Sequence, residues 1–234
     1  MNILITGASR GIGYAIVKLL GKTGNHKVLA FSRNTDTLTA FKNTLPTNQQ
    51  ARLFIKKFDL INFDEKTLSS SIQETIGSID ILINNAGLLI NKEFAQLTEA
   101  DWAATFQTNF FGPIKLIKTL LPFFNTETGA HIVNIGSMGG FQGSSKFPGL
   151  SAYSSSKAAL ANLTECLAEE FKEKNIRANC LCLGSVDTEM LQEAFPGFKA
   201  PVSSDEMAEF ILNFATTAHR FINGKVVPVS ISTP

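Results

Sequence analysis

The chain has 234 residues, 44% of them apolar, with 21 basic and 20 acidic side chains for a net charge of +1. That length suits one large α/β domain or two small ones, with enough apolar residues for a sizeable core. The charges are interspersed, which argues against a nucleic-acid partner; no apolar run nears the roughly 20 residues of a membrane span; and the N-terminus has no basic segment or cleavage site of a signal peptide.

Residues 2–6 (NILIT) have the length and residue types of a buried parallel strand. Glycines follow at 7, 11 and 13. Tyr14, Ile16, Val17, Leu19 and Leu20 then recur at helical spacing until Gly21 and Gly24. Strand, glycine turn and helix open a dinucleotide-binding βαβ unit. A side chain at these glycines would keep the backbone from a pyrophosphate, and the helix N-terminus offers it free N–H groups. Residues 26–32 read as the second strand. Arg33-Asn34-Thr35-Asp36 turns into a helix with Leu38, Phe41 and Leu45 inward and Pro46 past its end. An NAD site places a carboxylate at the tip of this strand for the ribose 2′-hydroxyl. Here the tip is Ser32-Arg33, and a guanidinium suits a 2′-phosphate. Arg10, inside the glycine turn, adds a second positive charge; the alternative is two solvated surface arginines.

Residues 52–58 read as strand three, ending at Asp59-Leu60, where Asp59 also suits a turn and Leu60 also suits the core. A helix over 63–76 puts Leu68, Ile72 and Ile76 on one face before Gly77. Residues 79–83 read as strand four. Asn84-Asn85-Ala86-Gly87 follows, combining small residues with amides that need partners when buried. Thr98 and Asp101 have capping-box spacing at the start of one long helix reaching to about Phe124. Trp102, Phe106, Phe110, Ile114, Ile117 and Leu121 fall on it as one apolar stripe. Pro113 is expected to kink it, and Asn109 is a polar residue able to satisfy the kink.

Residues 130–135 read as strand five, with Gly136-Ser137 at the carboxyl end, where ligands bind in open α/β sheets. A loop rich in Gly, Ser and Phe over 138–150 leads to a helix over 151–174 with Leu160, Leu163, Leu167 and Phe171 inward. Tyr153 and Lys157 lie one helical turn apart on it and share a face. A phenol has a pKa of about 10, and a nearby ammonium is expected to lower it toward proton exchange at neutral pH. Residues 175–183 read as strand six, followed by Gly184-Ser-Val-Asp-Thr188. Residues 190–201 read as a short lid. Its Leu191, Phe195 and Phe198, with Phe141 and Phe147 opposite, line a hydrophobic pocket or else serve core or interface. A last helix over 204–215, capped by Ser203 or Ser204, precedes a last strand over 224–229. Cys166, Cys180 and Cys182 suit neither a disulfide framework nor a zinc site and read as buried thiols of a reducing cytoplasm. His26, His131 and His219 are scattered, the first two each ahead of an apparent strand, and metal ligation is not expected. Strands alternate with helices throughout, which argues one parallel sheet covered on both faces.

Thr6-Gly-Ala-Ser-Arg-Gly-Ile-Gly13, Asn84-Asn-Ala-Gly87 and, after Gly136-Ser137, Tyr153-Ser-Ser-Ser-Lys157 resemble, in this order, the signatures of the short-chain dehydrogenase/reductase family. The resemblance covers nearly the whole chain. It implies a single α/β domain over 1–234, a Rossmann-type doubly wound parallel sheet of about seven strands with helices on both faces. It further implies a cofactor held by Gly7, Ser9, Arg10, Gly11, Ile12, Gly13, Arg33, Asp59, Leu60, Asn85, Ala86, Gly87, Tyr153, Lys157, Gly184, Val186 and Thr188. Asp59 would touch the adenine amino group and Leu60 line its pocket, Val186 and Thr188 would flank the nicotinamide carboxamide, and Asn84 would be mainly structural. Basic residues at the places of Arg10 and Arg33 are associated in the family with NADP(H). Ser137 would polarise a carbonyl, Tyr153 donate the proton, Lys157 lower the Tyr153 pKa and hold the ribose, and Asn109, in Asn109-Phe-Phe-Gly112, support a water-mediated proton path.

The interval from Ser137 to Tyr153 is a few residues longer than usual in the family, so Ser151 is the alternative serine; Ser137 is preferred because it ends a strand. Leu183-Gly184 stands where Pro-Gly is usual, and the end, Val229-Ser-Ile-Ser-Thr-Pro234, departs from the family's Val-Asp-Gly-Gly, which is expected to alter a subunit contact. The expected protein is a cytoplasmic NADP(H)-dependent carbonyl reductase or alcohol dehydrogenase acting on a small molecule. It is expected to be a homodimer or homotetramer paired through the helices at 99–124 and 152–174. An isomerase or dehydratase using the same Tyr/Lys pair is one alternative, and an NADP(H)-binding sensor or scaffold without turnover is another.

Overall fold

A computed structural model describes residues 1–231. Strand β1 (Asn2–Thr6) is followed by α1 (Gly11–Thr23), β2 (Lys27–Ser32), α2 (Asp36–Asn43), the short α3 (Thr47–Gln50), β3 (Leu53–Lys57), α4 (Glu65–Thr75) and β4 (Ile81–Asn84). Then come α5 (Glu99–Phe106), α6 (Gly112–Leu120), β5 (Ala130–Ser137), α7 (Ser151–Glu170) and β6 (Ile176–Leu183). The chain continues through β7 (Val186–Asp187), α8 (Glu189–Ala194), β8 (Val202–Ser203), α9 (Ser204–Thr217) and β9 (Val226–Val229). Seven strands form one parallel sheet in the order β3-β2-β1-β4-β5-β6-β9, and β7 pairs with β8 in a small ribbon. This is a single Rossmann-type domain.

Strand β1 lies inside the sheet, with Ile5 in register with Ala30 of β2 and with Ile83 of β4. Both faces of a central parallel strand are covered, so its residues are apolar without alternation. Ile3 and Ile5 pack with Ile16, Val17 and Leu20 of α1 and Met207 and Ile211 of α9, while Leu4 packs with Leu68 and Ile72 of α4 and Leu116, Ile117 and Leu120 of α6. Each such fully buried aliphatic side chain contributes about 1.5–3 kcal/mol. Helix α1 stops where expected: Gly24 has φ 65° and its N–H bonds the Leu20 carbonyl at 3.1 Å. Thr98–Asp101 and Ser203–Glu206 both form capping boxes. Among the described residues no helix is long and apolar enough to cross a membrane.

The structure departs from expectation in several places. The single helix predicted over 98–124 is interrupted by a π-helical turn, Gln107–Phe111. Pro113 has no N–H for the Asn109 carbonyl four residues back, and the Gly112 N–H instead reaches the Gln107 carbonyl, five residues back. The extra residue rotates the stripe. Ile117 stays in the core, whereas Trp102, Phe106 and Phe110 are only partly buried and continue a ladder of rings from Phe94 to Phe111. His131 lies inside β5 rather than ahead of it, fully buried; its Nδ1–H donates to Ala215 O at 2.9 Å, and its Nε2 accepts from Asn179 at 2.9 Å. Cys166 is exposed, unlike Cys180 and Cys182. The helix at 151 ends at Glu170; a 3-10 turn, Lys172–Lys174, follows, and Asn175, with a left-handed φ of 55°, ends that turn ahead of β6. The expected departure at the C-terminus falls partly on residues 232–234, which lie outside the described residues.

Candidate active site

The parallel sheet reverses its winding between β1 and β4, and a crevice opens there beyond the carboxyl ends of the strands. Gly7 and Gly11 turn with φ 66° and 53°. A Cβ on Gly7 would stand 2.7 Å from Ala86 Cα, and one on Gly13 would stand 2.2 Å from the Gly7 carbonyl oxygen. Close packing of turn, helix and β4 therefore already demands these glycines, before any ligand approaches. No side chain caps the N-terminus of α1, so its first N–H groups are left for another acceptor.

The end of β4 is bolted to this turn. Thr6 Oγ1 accepts from the N–H groups of Asn85 and Ala86, both at 3.1 Å, and Asn85 Nδ2 donates to the Thr6 and Gly7 carbonyls at 3.0 and 3.1 Å. Asn84 is structural, as expected. Its amide donates to Asn134 Oδ1 at 2.8 Å, and Asn134 in turn donates to Thr164 Oγ1 at 2.8 Å, tying β4 to β5 and α7.

Ser137, at the end of β5, accepts from the Gly139 N–H at 3.2 Å and lines the cavity with Tyr153. Ser151 begins α7 and is not among the cavity residues, whereas Ser137 is. Lys157 is 3% exposed; its Nζ donates to Ile135 O at 2.7 Å and lies 5.9 Å from the Tyr153 ring centre. Burial pulls the lysine pKa down to about 8. Burial also pushes the Tyr153 phenol above its ordinary value, opposed by the Ser137 hydroxyl. Desolvation is thus the largest influence on the phenol in this arrangement, and the Lys157 ammonium is turned to the Ile135 carbonyl. Cys180 and Cys182 fill the space beside Gly136, where a Cβ would stand 2.7 and 3.0 Å from their sulfurs.

Asn109 sits behind this group, fully buried within the π-turn. Its Nδ2 donates to Leu88 O and to Ser156 Oγ, both at 2.9 Å, its Oδ1 accepts from Leu88 N–H at 2.7 Å, and Ser156 Oγ donates to the Tyr153 carbonyl at 2.7 Å. Ser156, absent from the sequence-based reading, is thus the link from Asn109 to the Tyr153 backbone; its spacing inside Tyr153-Ser-Ser-Ser-Lys157 was the available signal.

One cavity of about 1140 Å³ joins these parts. It is lined by Gly7, Ser9, Arg10, Gly11, Ile12, Arg33, Asp59, Leu60, Asn85, Ala86, Gly87, Ser137, Tyr153, Lys157, Gly184, Val186 and Thr188; Gly13 and Asn109 stand behind its wall. Asp59 also closes a turn, accepting from the Ile61 N–H at 3.0 Å, and Leu60 also packs in the core. Arg33 is exposed, and Arg10 pairs with Glu193 of α8. Leu183, at the place of the family's usual proline, completes β6 opposite Val229, and the Gly184 N–H bonds the Val229 carbonyl at 2.8 Å. Thr188 caps α8, accepting from the Leu191 N–H at 3.2 Å. The segment expected to form a lid adds Met190, Leu191, Phe195 and Phe198 to an apolar end shared with Leu88, Leu89, Met138, Phe147 and Leu150.

The short chain dehydrogenase family matches residues 1–198. The chain is 30% identical over 207 residues to an uncharacterized oxidoreductase of Staphylococcus saprophyticus, covering 88% of this chain and 87% of the relative. It is 28% identical to a 3-oxoacyl-[acyl-carrier-protein] reductase of Chlamydia trachomatis, covering 97% and 94%. Among solved structures, a 4-hydroxyisoleucine dehydrogenase mutant complexed with NADH and succinate superposes with a TM-score of 0.85 at 26% identity, covering 98% and 97%. ElxO with NADP bound gives a TM-score of 0.83 at 26% identity, covering 98% and 96%. With glycine turn, strand-end serine and Tyr/Lys pair brought to one crevice, the chain belongs to the short-chain dehydrogenase family and is an oxidoreductase of it.

Proposed function

We propose that this oxidoreductase uses NADP(H) to interconvert a small, uncharged, largely apolar carbonyl compound and its alcohol. The observation that carries the reading is the convergence of Ser137, Tyr153 and Lys157 on the cavity that also holds the glycine turn and both arginines. The residues fit a phosphorylated dinucleotide: an uncapped helix N-terminus for the diphosphate, and Arg10 and Arg33 for a 2′-phosphate. When bound, the nicotinamide supplies or takes the hydride. Tyr153 exchanges the proton with the substrate oxygen, and Ser137 donates a hydrogen bond to that oxygen. Lys157, protonated at neutral pH with a pKa of about 8, would hold the ribose and stabilise the phenolate. Asn109, through Ser156, positions the Tyr153 turn of α7 and supports a water-mediated path for the proton.

The substrate class follows from the lining. The cations on the cavity wall are Arg10, Arg33 and Lys157, all engaged in the scheme above, while Glu189 and Glu193 belong to the lid. Among the described residues an anionic substrate has no cation left to meet it, and the apolar end favours uncharged ketones, aldehydes and diketones over keto acids. The partly exposed ladder Phe94, Trp102, Phe106, Phe110 and Phe111 supports pairing of subunits through the face of α5 and α6, and the free thiols support a reducing cytoplasm.

The test is cofactor consumption with NADPH and NADH in parallel over neutral carbonyl compounds, keto acids and ketoacyl thioesters. Turnover with NADPH on neutral compounds that vanishes in Tyr153→Phe, with NADPH binding retained, is the expected result. Tight NADPH binding without turnover on any substrate would instead favour a sensor or scaffold.

A further inference from the structure

The Arg10 guanidinium is already occupied. Its two terminal nitrogens meet the Glu193 carboxylate at 2.5 and 3.3 Å, a forked pairing across the cavity between the glycine turn and the lid helix α8. The lid is seated so that this reach is short. Thr188, its cap, packs against Gly11, where a Cβ would lie 3.3 Å from Thr188 Cγ2. On its far side Asn91 Nδ2 donates to the Ala194 carbonyl at 2.7 Å. Glu193 is thus held over the turn from both ends of α8. Both partners line the cavity, and both are about half exposed, at 48% and 63%.

We infer that Glu193 is a specificity-determining residue that competes with the cofactor's 2′-phosphate for Arg10. The inference rests on the NADP(H) reading above. The Glu193 carboxylate already holds the end-on fork of the Arg10 guanidinium, and a second anion brought to the same side chain meets the negative charge of that carboxylate. A dinucleotide carrying the 2′-phosphate must displace the Glu193 carboxylate from Arg10, whereas one without it leaves the pair intact. Glu193 therefore weakens binding of the phosphorylated cofactor and leaves the other unchanged, tempering the preference that Arg10 and Arg33 create. Because the pair is exposed, the competition is mild: removing it tightens NADPH binding by about two- to fivefold.

Direct titration of NADPH and NADH by fluorescence or calorimetry into wild type, Glu193→Gln, Arg10→Gln and the double variant tests this without any turnover. The expected result is a tighter Kd for NADPH in Glu193→Gln, an unchanged Kd for NADH, and no effect of Glu193→Gln once Arg10 is Gln. An NADPH-to-NADH affinity ratio that Glu193→Gln does not move overturns the inference while leaving the NADP(H) reading standing. A gain that persists in the Arg10→Gln background also overturns it, because the effect is then general repulsion rather than competition for Arg10. A wild-type chain that binds NADH but not NADPH overturns both. Unchanged thermal midpoints in all variants establish that the comparison is between equally folded proteins.

Discussion

Replacing Lys157 with methionine is expected to abolish turnover and make the protein more stable at neutral pH. The ammonium is buried at 3% exposure, and the carbonyl of Ile135 at 2.7 Å is its hydrogen-bond acceptor. Burial lowers its pKa from 10.5 to about 8. Holding it charged in the folded state at pH 7 costs roughly 3 kcal/mol relative to the unfolded chain. Methionine matches the stem and removes the charge, at the loss of a hydrogen bond of about 1 kcal/mol, leaving a net gain of about 1–3 kcal/mol. The sign with pH follows from linkage. Between about pH 8 and 10.5 the unfolded chain keeps the lysine proton and the folded one has lost it, so wild-type stability rises with pH. The variant lacks that rise, and the gap between the two proteins closes on going from pH 7 to 9.5. Urea denaturation of both proteins at the two pH values measures the gap, and subtracting the variant removes every other titrating group except those coupled to the lysine, chiefly Cys180 and Cys182. A variant no more stable at pH 7, or a gap that stays constant with pH, would refute the reasoning. The same buried charge proposed to serve the phenolate is then a stability cost borne for activity.

Arg33→Asp is expected to weaken NADPH binding roughly 10- to 100-fold more than NADH binding, since it removes a charge-assisted contact and adds repulsion; equal losses would sink the 2′-phosphate assignment. His131, buried and neutral with a pKa of about 4, gives stability that is full above 6.5 and is lost as pH falls toward 4; its imidazole resonances should not titrate between pH 8 and 5.5, and a midpoint near 6.5 by NMR would contradict its placement. Phe111→Asp, on the exposed end of the ring ladder, is expected to shift the sedimentation of a dimer or tetramer toward smaller species at micromolar concentration, and a wild type that sediments only as monomer would remove the basis for that interface.

The order of elements, the positions of most boundaries and the three motifs were legible because they rest on local rules. Ile3, Leu4 and Ile5 form an unbroken apolar run because a central parallel strand is buried on both faces, and Gly24, Thr98 and Ser203 mark helix ends through their own backbone or hydroxyl chemistry. The reading faltered where a residue's role depends on a distant neighbour. Pro113 and Asn109 marked a kink in the helix over 98–124 but not its form as a π-turn over 107–111, in which Asn109 finds Leu88 and Ser156. His131 read only as one of three scattered histidines, because its partners, Ala215 and Asn179, come from another helix and another strand.

The sequence by itself determined the fold class, the family and the candidate chemistry, since strand patterns, a glycine turn and a Tyr/Lys pair one helical turn apart are written in adjacent residues. Only the tertiary structure decided how those groups are charged and what they compete with. Tyr153 and Lys157 share a face by spacing, but their pKa shifts are set by the burial that α7 and β5 impose on both. Arg10 and Glu193 stand 183 residues apart, and nothing local to either announces the other. Desolvation and long-range pairing are properties of the packed interior and its rim, and they take their values only when the sheet, its helices and the lid are assembled.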